Sequence, residues 1–217
     1  MKDQLLRLYK QKQADFTSIM SQFSDDDLAG PFLMSPNEKY SLQRYPLLII
    51  GQETNGWMYD VEDLEKQMKH YEDFNVGITY KSSPFWNITR KIEKALGSEP
   101  YTCAWTNVNK FDLDAGRPFG VYEKAISSVD NVLIEEIQIV KPKVCLFYTG
   151  PSFDYRLKET FTGIEFIEIP GWTKRQLCQL KHPLLPELTF RSYHPKSLRL
   201  RYLEEDFVNF IAGQVPN

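Results

Sequence analysis

Apolar and polar positions follow two rhythms along the chain. Over residues 3–23, Leu5, Leu6, Leu8, Tyr9, Phe16, Ile19, Met20 and Phe23 recur at helical spacing and give one broad apolar face. The same rhythm returns over residues 60–74, through Val61, Leu64, Met68, Tyr71 and Phe74. It returns again over 84–96, where Pro84 suits the first turn of a helix. A longer helix is predicted from Pro118 to the stop at Lys141 and Pro142, and an amphipathic one over 196–213. Between the helices stand short, continuous apolar runs at 45–50, 101–106, 144–148, 164–169 and 188–193. Such runs fit strands buried on both faces. Residues 24–36, which mix acids, glycine and proline, read as a loop.

Strands alternating with helices imply crossover connections and a sheet covered on both sides. The expected fold is α/β: a three-layer α/β/α sandwich around a central, mainly parallel sheet of four to five strands. A chain of 217 residues is long enough for one well-buried core. Residues 1–217 are read as one domain, with 1–40 forming an N-terminal helix and loop packed on it. In open parallel sheets, ligands bind beyond the carboxyl ends of the strands. Polar residues gather at those ends. Gln52, Glu53, Thr54 and Asn55 follow the first run, Asn107 and Asn109 the second, and His194, Lys196 and Ser197 the fifth.

Composition narrows the chemistry. Cys103, Cys145 and Cys178 are far apart and form no CxxC, which argues against a zinc ribbon or a disulfide framework. Cys103 and Cys145 sit in apolar runs and read as core thiols. There is no HExxH, Walker loop, GxGxxG or nucleophile elbow. No metal is therefore expected. The N-terminus lacks a signal-peptide apolar stretch and no run approaches membrane-spanning length, so the expected compartment is a reducing cytoplasm. The net charge of −3 does not advertise a nucleic-acid partner, but its distribution does more. Residues 171–201 hold Lys174, Arg175, Lys181, Arg191, Lys196, Arg199 and Arg201 against the single acid Glu187. That stretch reads either as a phosphate-attracting face or as a solvated basic surface.

Three segments resemble the uracil-DNA glycosylase superfamily. Leu48-Ile-Ile-Gly-Gln-Glu-Thr-Asn-Gly56 is similar to its first motif, an apolar strand running into Gly-Gln-Asp-Pro-Tyr-His. Ala104-Trp-Thr-Asn107 is similar to its second-strand ending. Tyr193-His-Pro-Lys-Ser-Leu198 is similar to its closing His-Pro-Ser-Pro-Leu, and Pro84-Phe-Trp-Asn87 to the Phe-Trp helix start of the mismatch-specific and thymine branches. The motifs keep the family's chain order over residues 45–200. The chain departs from the pattern at Glu53, which stands in place of Asp, at Thr54 and Asn55, in place of Pro-Tyr, and at Lys196, in place of Ser. The four cysteines of the iron–sulfur branches are absent.

The resemblance implies DNA as the partner, a single- or double-stranded substrate with a flipped base. It implies hydrolysis of the N-glycosidic bond of uracil or a related deaminated base, with no cofactor. It also implies adjacent parallel strands at 45–50, 101–106 and 143–148, with 45–50 in the middle. Glu53 would place water or stabilise charge on the sugar, or is an ordinary loop acid. Gln52 would lie beside the base, or brace the turn. Asn107 offers a donor and an acceptor to a base edge, or caps its loop, with Asn109 as fallback. His194 would donate to the leaving base's oxygen, or is a plain loop residue. Tyr80 and Phe85 are candidates for stacking on the base and Trp86 for core, although packing accounts for all three. Lys196, Ser197, Leu198 and Arg199 would meet DNA, with Leu198 equally a core residue of its helix. A catalytically silent nucleic-acid-binding protein and a small-molecule or nucleoside hydrolase are the rival readings.

Overall fold

The structure is a computed structural model that describes residues 1–23, 28–58 and 60–216. The predicted first helix forms as α1 (Lys2–Gln22), with Leu5, Leu8, Tyr9, Phe16 and Ile19 buried. Of the predicted 24–36 loop, residues 24–27 lie outside the described residues. The rest opens with a short strand, β1 (Leu28–Ala29). The first buried run is β2 (Leu47–Gly51), every residue of which is buried. Helix α2 (Leu64–Phe74) begins four residues later than the periodicity suggests, because the Asp63 carboxylate accepts the Lys66 amide and caps it there. Helix α3 (Pro84–Ala95) starts on its proline as expected. Strand β3 (Ala104–Asn107) follows. The buried Glu93 carboxylate of α3 guides the chain into β3 by accepting the amides of Tyr101, Thr102 and Cys103 at 2.8–3.1 Å. Strand β4 (Asp112–Leu113) pairs antiparallel with β1.

The long helix expected from Pro118 is instead two. Helix α4 (Val121–Ile126) gives way to a tight turn over 127–129, and α5 (Asn131–Val140) resumes. Ser127 and Ser128 explain the break: their hydroxyls bond back to the carbonyls of Lys124 and Ala125 and compete with regular helix. Strand β5 (Val144–Phe147) and an unforeseen helix α6 (Asp154–Thr160) come next. The run near 164–169 becomes β6 (Glu165–Glu168), a partly exposed edge strand rather than a doubly buried one. Strand β7 (Leu177–Lys181) lies outside the predicted runs, and β8 (Leu188–Ser192) matches the fifth. The last helix also divides, into α7 (Pro195–Leu200) and α8 (Glu204–Ala212). The break is a left-handed Tyr202, φ +58°, after which the Leu203 amide returns to the Leu198 carbonyl.

Among the described residues the main sheet has six strands, one more than the upper expectation, in the order β3-β2-β5-β8-β7-β6. β3, β2, β5 and β8 run parallel, and β7 is antiparallel to both its neighbours. The central position of β2 between β3 and β5 agrees with the order the resemblance implies. Helices cover both sides of the sheet; α3, α7 and α8 pack together, and α1 packs against α2 and α5. From β2 the chain crosses first to β3 on one side and later to β5 on the other. The carboxyl end of β2 is thus the switch point where an open α/β sheet leaves a crevice. Among the described residues, no helix is long and apolar enough to cross a membrane.

One buried polar network ties this frame together. The Glu136 carboxylate on α5 accepts from Tyr9 of α1 at 2.8 Å and from Thr106 of β3 at 2.7 Å, and pairs with Lys110. Glu136 and Lys110 are almost wholly buried. Burial pushes the Lys110 ammonium below its usual pKa, while Glu136 works to keep it charged. Removing one partner strands the other, so Glu136→Ala should lose about 3–5 kcal/mol in urea unfolding at neutral pH. The double change Glu136→Leu with Lys110→Met should recover most of that loss. A single-variant loss under about 1 kcal/mol would show that the network contributes little.

Candidate active site

The carboxyl ends of β2 and β3, the start of α3 and the turn after β8 enclose a cleft of about 630 Å³. Gln52, Glu53, Tyr80, Phe85, Asn107 and His194 all line it. The structure therefore brings together six of the residues singled out from four separate parts of the chain.

Glu53 is held from behind. The Asn109 amide nitrogen lies 3.5 Å from its carboxylate, and the Asn109 carbonyl oxygen accepts from the buried Arg156 at 3.3 Å. Arg156 is anchored in turn by two bonds to Asp130, at 2.6 and 2.8 Å. The arginine can only donate, so it turns the Asn109 NH2 group toward Glu53. Burial pushes the Glu53 pKa up to about 7 from an ordinary 4.5, against the opposing pull of Arg117 and Asn109. The turn that follows is clamped by Asp112, which takes the Thr54 hydroxyl and the amides of Gly56 and Trp57. Thr54 is thereby turned into the protein, and Asn55 is left on the exposed rim. Gln52 donates its amide to the Thr149 carbonyl at 2.5 Å while still facing the cleft, so it both braces the turn and lines the site.

His194 closes the cleft from the other side. Its Nδ1 accepts the Lys196 amide at 3.3 Å, which puts the proton of the neutral ring on Nε2 as an available donor. Burial, with some help from Lys196, lowers its pKa and keeps the ring neutral. Its ring lies 5.9 Å from that of Phe85.

Asn107 forms the floor. It is fully buried, yet neither its amide nitrogen nor its carbonyl oxygen has a hydrogen-bond partner among the described residues. It fits because Gly51 lies opposite it in the sheet; a Cβ there would sit 2.3 Å from Asn107 Oδ1. Two residues earlier on the same face, the Trp105 indole N–H is also buried and unpartnered. Trp57, Phe74, Phe85 and Trp86 pack around Trp105 as an aromatic wall, and Tyr80, half exposed, stands at its edge. Trp86 is both core, as expected, and cleft lining.

Of the residues expected to meet DNA, two are engaged within the protein. Leu198 is fully buried and cannot act as a wedge: it packs in the core because α7 turns that face inward. Arg199 is engaged by Glu204 at 2.8 Å. The continuous basic face also breaks up. Arg191 is buried against Asp154, and Lys181 sits at the end of antiparallel β7 remote from the cleft. Lys174, Arg175, Lys196, Ser197 and Arg201 remain near the carboxyl end of β8, with Lys196 exposed.

No family model and no curated protein matches this chain. Among the described residues, no cluster of His, Cys, Asp or Glu is arranged to hold a metal ion. The cleft therefore offers a buried carboxylate, a neutral imidazole donor, an unpaired amide and flat aromatic surfaces, a set suited to a planar polar ligand. Trp105 was legible in the alternation of Ala-Trp-Thr-Asn, which points it the same way as Asn107. Asp112 and Arg156 carried no comparable signal.

Two outcomes follow from this geometry. Gly51→Ala should displace the Asn107 amide and abolish ligand binding in the cleft, while circular dichroism stays native. The raised Glu53 pKa means that the native state holds the extra proton between about pH 4.5 and 7. Stability from that proton is present at low pH and lost as pH rises through 7. Glu53→Gln should accordingly raise Tm at pH 8 and change it little at pH 4.5; an equal gain at both would contradict the shift.

Proposed function

We propose that the protein is a base-excision enzyme that hydrolyses the N-glycosidic bond of a flipped, deaminated base in DNA. The observation that carries the reading is the Asn107 amide, buried and unpaired on an aromatic floor shared with Glu53 and His194. Leaving such a group unpaired costs about 1–3 kcal/mol, a cost that a ligand edge removes. A base bound there pairs its polar edge with the amide and lies against the rings. The His194 Nε2–H donates to a carbonyl oxygen of the base and stabilises the negative charge that grows as the bond to the sugar breaks. Glu53, ionised, stabilises positive charge on the sugar and takes a proton from the attacking water. Asn109 and Arg156 keep that carboxylate aimed. The buried free thiols fit a reducing cytoplasm.

The break-up of the basic face favours one rival, a hydrolase of free nucleosides with the same chemistry. Single-turnover assays on uracil- and hypoxanthine-containing strands, run beside uridine and inosine, decide between them. Release of base from the strands supports excision from DNA; release from nucleosides alone supports the rival. Glu53→Gln should lower the rate by about a hundredfold or more with affinity nearly unchanged. Because Glu53 acts ionised, log(kcat/KM) should rise with pH to a plateau above about 7. Lys196→Ala should weaken strand binding and reduce its salt slope by about one, leaving the saturated rate unchanged.

A further inference from the structure

We propose that the cleft is built for a 6-oxopurine, with the Trp105 indole N–H donating to the purine's N7; this rests on the base-excision reading above. The starting point is a second orphan. Trp105 is only 7% exposed, lines the cleft, and its Nε1 has no partner among the described residues. Nothing in the proposed excision chemistry uses it.

Its position decides what it reads. A Cβ on Gly51 would lie 3.6 Å from Trp105 Nε1 and 2.3 Å from Asn107 Oδ1. The indole donor and the amide therefore converge on one patch of floor, within reach of one small planar ligand. Around that patch Trp105, Asn107 and His194 present donors and the Asn107 carbonyl an acceptor, in a cleft that oxygens of Gln52 and Glu53 also line. A uracil edge has two carbonyl oxygens and one N–H, so it serves the third donor only by doubling up on one oxygen. A 6-oxopurine matches the set one to one. Its N1–H meets the Asn107 carbonyl, and O6 and the adjacent N7 accept from the Asn107 amide and Trp105. N3, on the far side of N1, is left for His194 and in a purine takes the place of the carbonyl oxygen to which His194 donates in a pyrimidine.

A cleft of about 630 Å³ has the volume for a second ring. Asp112 holds the Thr54 hydroxyl, and Asn55 stands on the exposed rim. The flat walls of Phe85 and Trp57 suit a bicyclic base. Trp105 is thus a specificity residue touching the base rather than a member of the catalytic pair.

The test compares hypoxanthine with 7-deazahypoxanthine, which replaces the N7 acceptor by C–H. Free hypoxanthine, its 7-deaza analogue and uracil are titrated into the protein and followed by tryptophan fluorescence. Affinity is read because removing N7 also alters the leaving group. Hypoxanthine should bind about tenfold or more tightly than the analogue, as expected when one hydrogen bond to a buried donor is lost. Trp105→Phe keeps the ring packing and removes the donor, so it should bind the two purines alike. If that variant does not fold, the wild-type comparison still decides. Equal binding of the two purines by the wild type, or no binding of either, overturns the proposal. Excision of uracil with no purine binding also overturns it while leaving the base-excision reading intact. N7-dependent binding with no excision of any base upholds the purine site and removes the excision reading.

Discussion

The site depends on one close approach: Gly51, last residue of β2, lies across the sheet from Asn107, last residue of β3. Only the missing side chain at 51 leaves room for the amide, since a methyl group would overlap its oxygen. That contact requires the two strands to end in register, which the bonds from Val108 to Gly51 and from Asn109 to Gln52 secure. The register in turn leans on the network of Tyr9, Thr106, Lys110 and Glu136, which ties β3 to the helices behind it. The unpaired Asn107 floor, the turn bearing Glu53 and the position of Asn109 follow from this single alignment.

Two titratable groups of the cleft, Glu53 and His194, are tuned in opposite chemical directions by one cause. Burial disfavours the charged form of each, raising the Glu53 pKa and lowering that of His194. A neutral imidazole with its proton on Nε2 and a carboxylate that ionises near neutrality can coexist without forming an ion pair. Folding bears the cost of that arrangement. A buried acid, an unpaired amide and an unpaired indole N–H each weaken the native state, and all three face the same cavity. The Tyr40 and Thr149 hydroxyls are also buried without a partner, but only in this cleft do an unpaired amide and an unpaired indole N–H share one wall among the described residues.

The basic surface is more modest than the run of charges suggests. Charge counted along a chain ignores direction. β7 runs against its neighbours and carries Lys181 to the opposite edge, while Arg191 points inward to Asp154 and holds the 174–175 turn. Leu198 illustrates the same point for an apolar residue, since the rotation of α7 alone sends it inward. What remains is a small group of cations beside His194, too few to form an extended track.

The sequence by itself determined the α/β class, the buried strands at β2, β3, β5 and β8, and the clustering of polar residues at their carboxyl ends. Continuous apolar runs and helical periodicity are local signals, and strand ends are where an open sheet exposes its ligands. Glu53, Asn107 and His194 were legible because each follows such a run directly. The positions of breaks within helices were not, because two serines and one left-handed tyrosine interrupt an apolar rhythm that continues across them. β7 carries no continuous apolar run and is held as a strand by pairing with β6 and β8, which no pattern within it records. The partners that tune the site were decided only by tertiary structure. Asp112 meets Thr54, and Arg156 meets Asn109, across dozens of residues, through side chains whose types are equally common on any surface. Pairing of that kind is a property of where the backbone returns, and no local pattern encodes it.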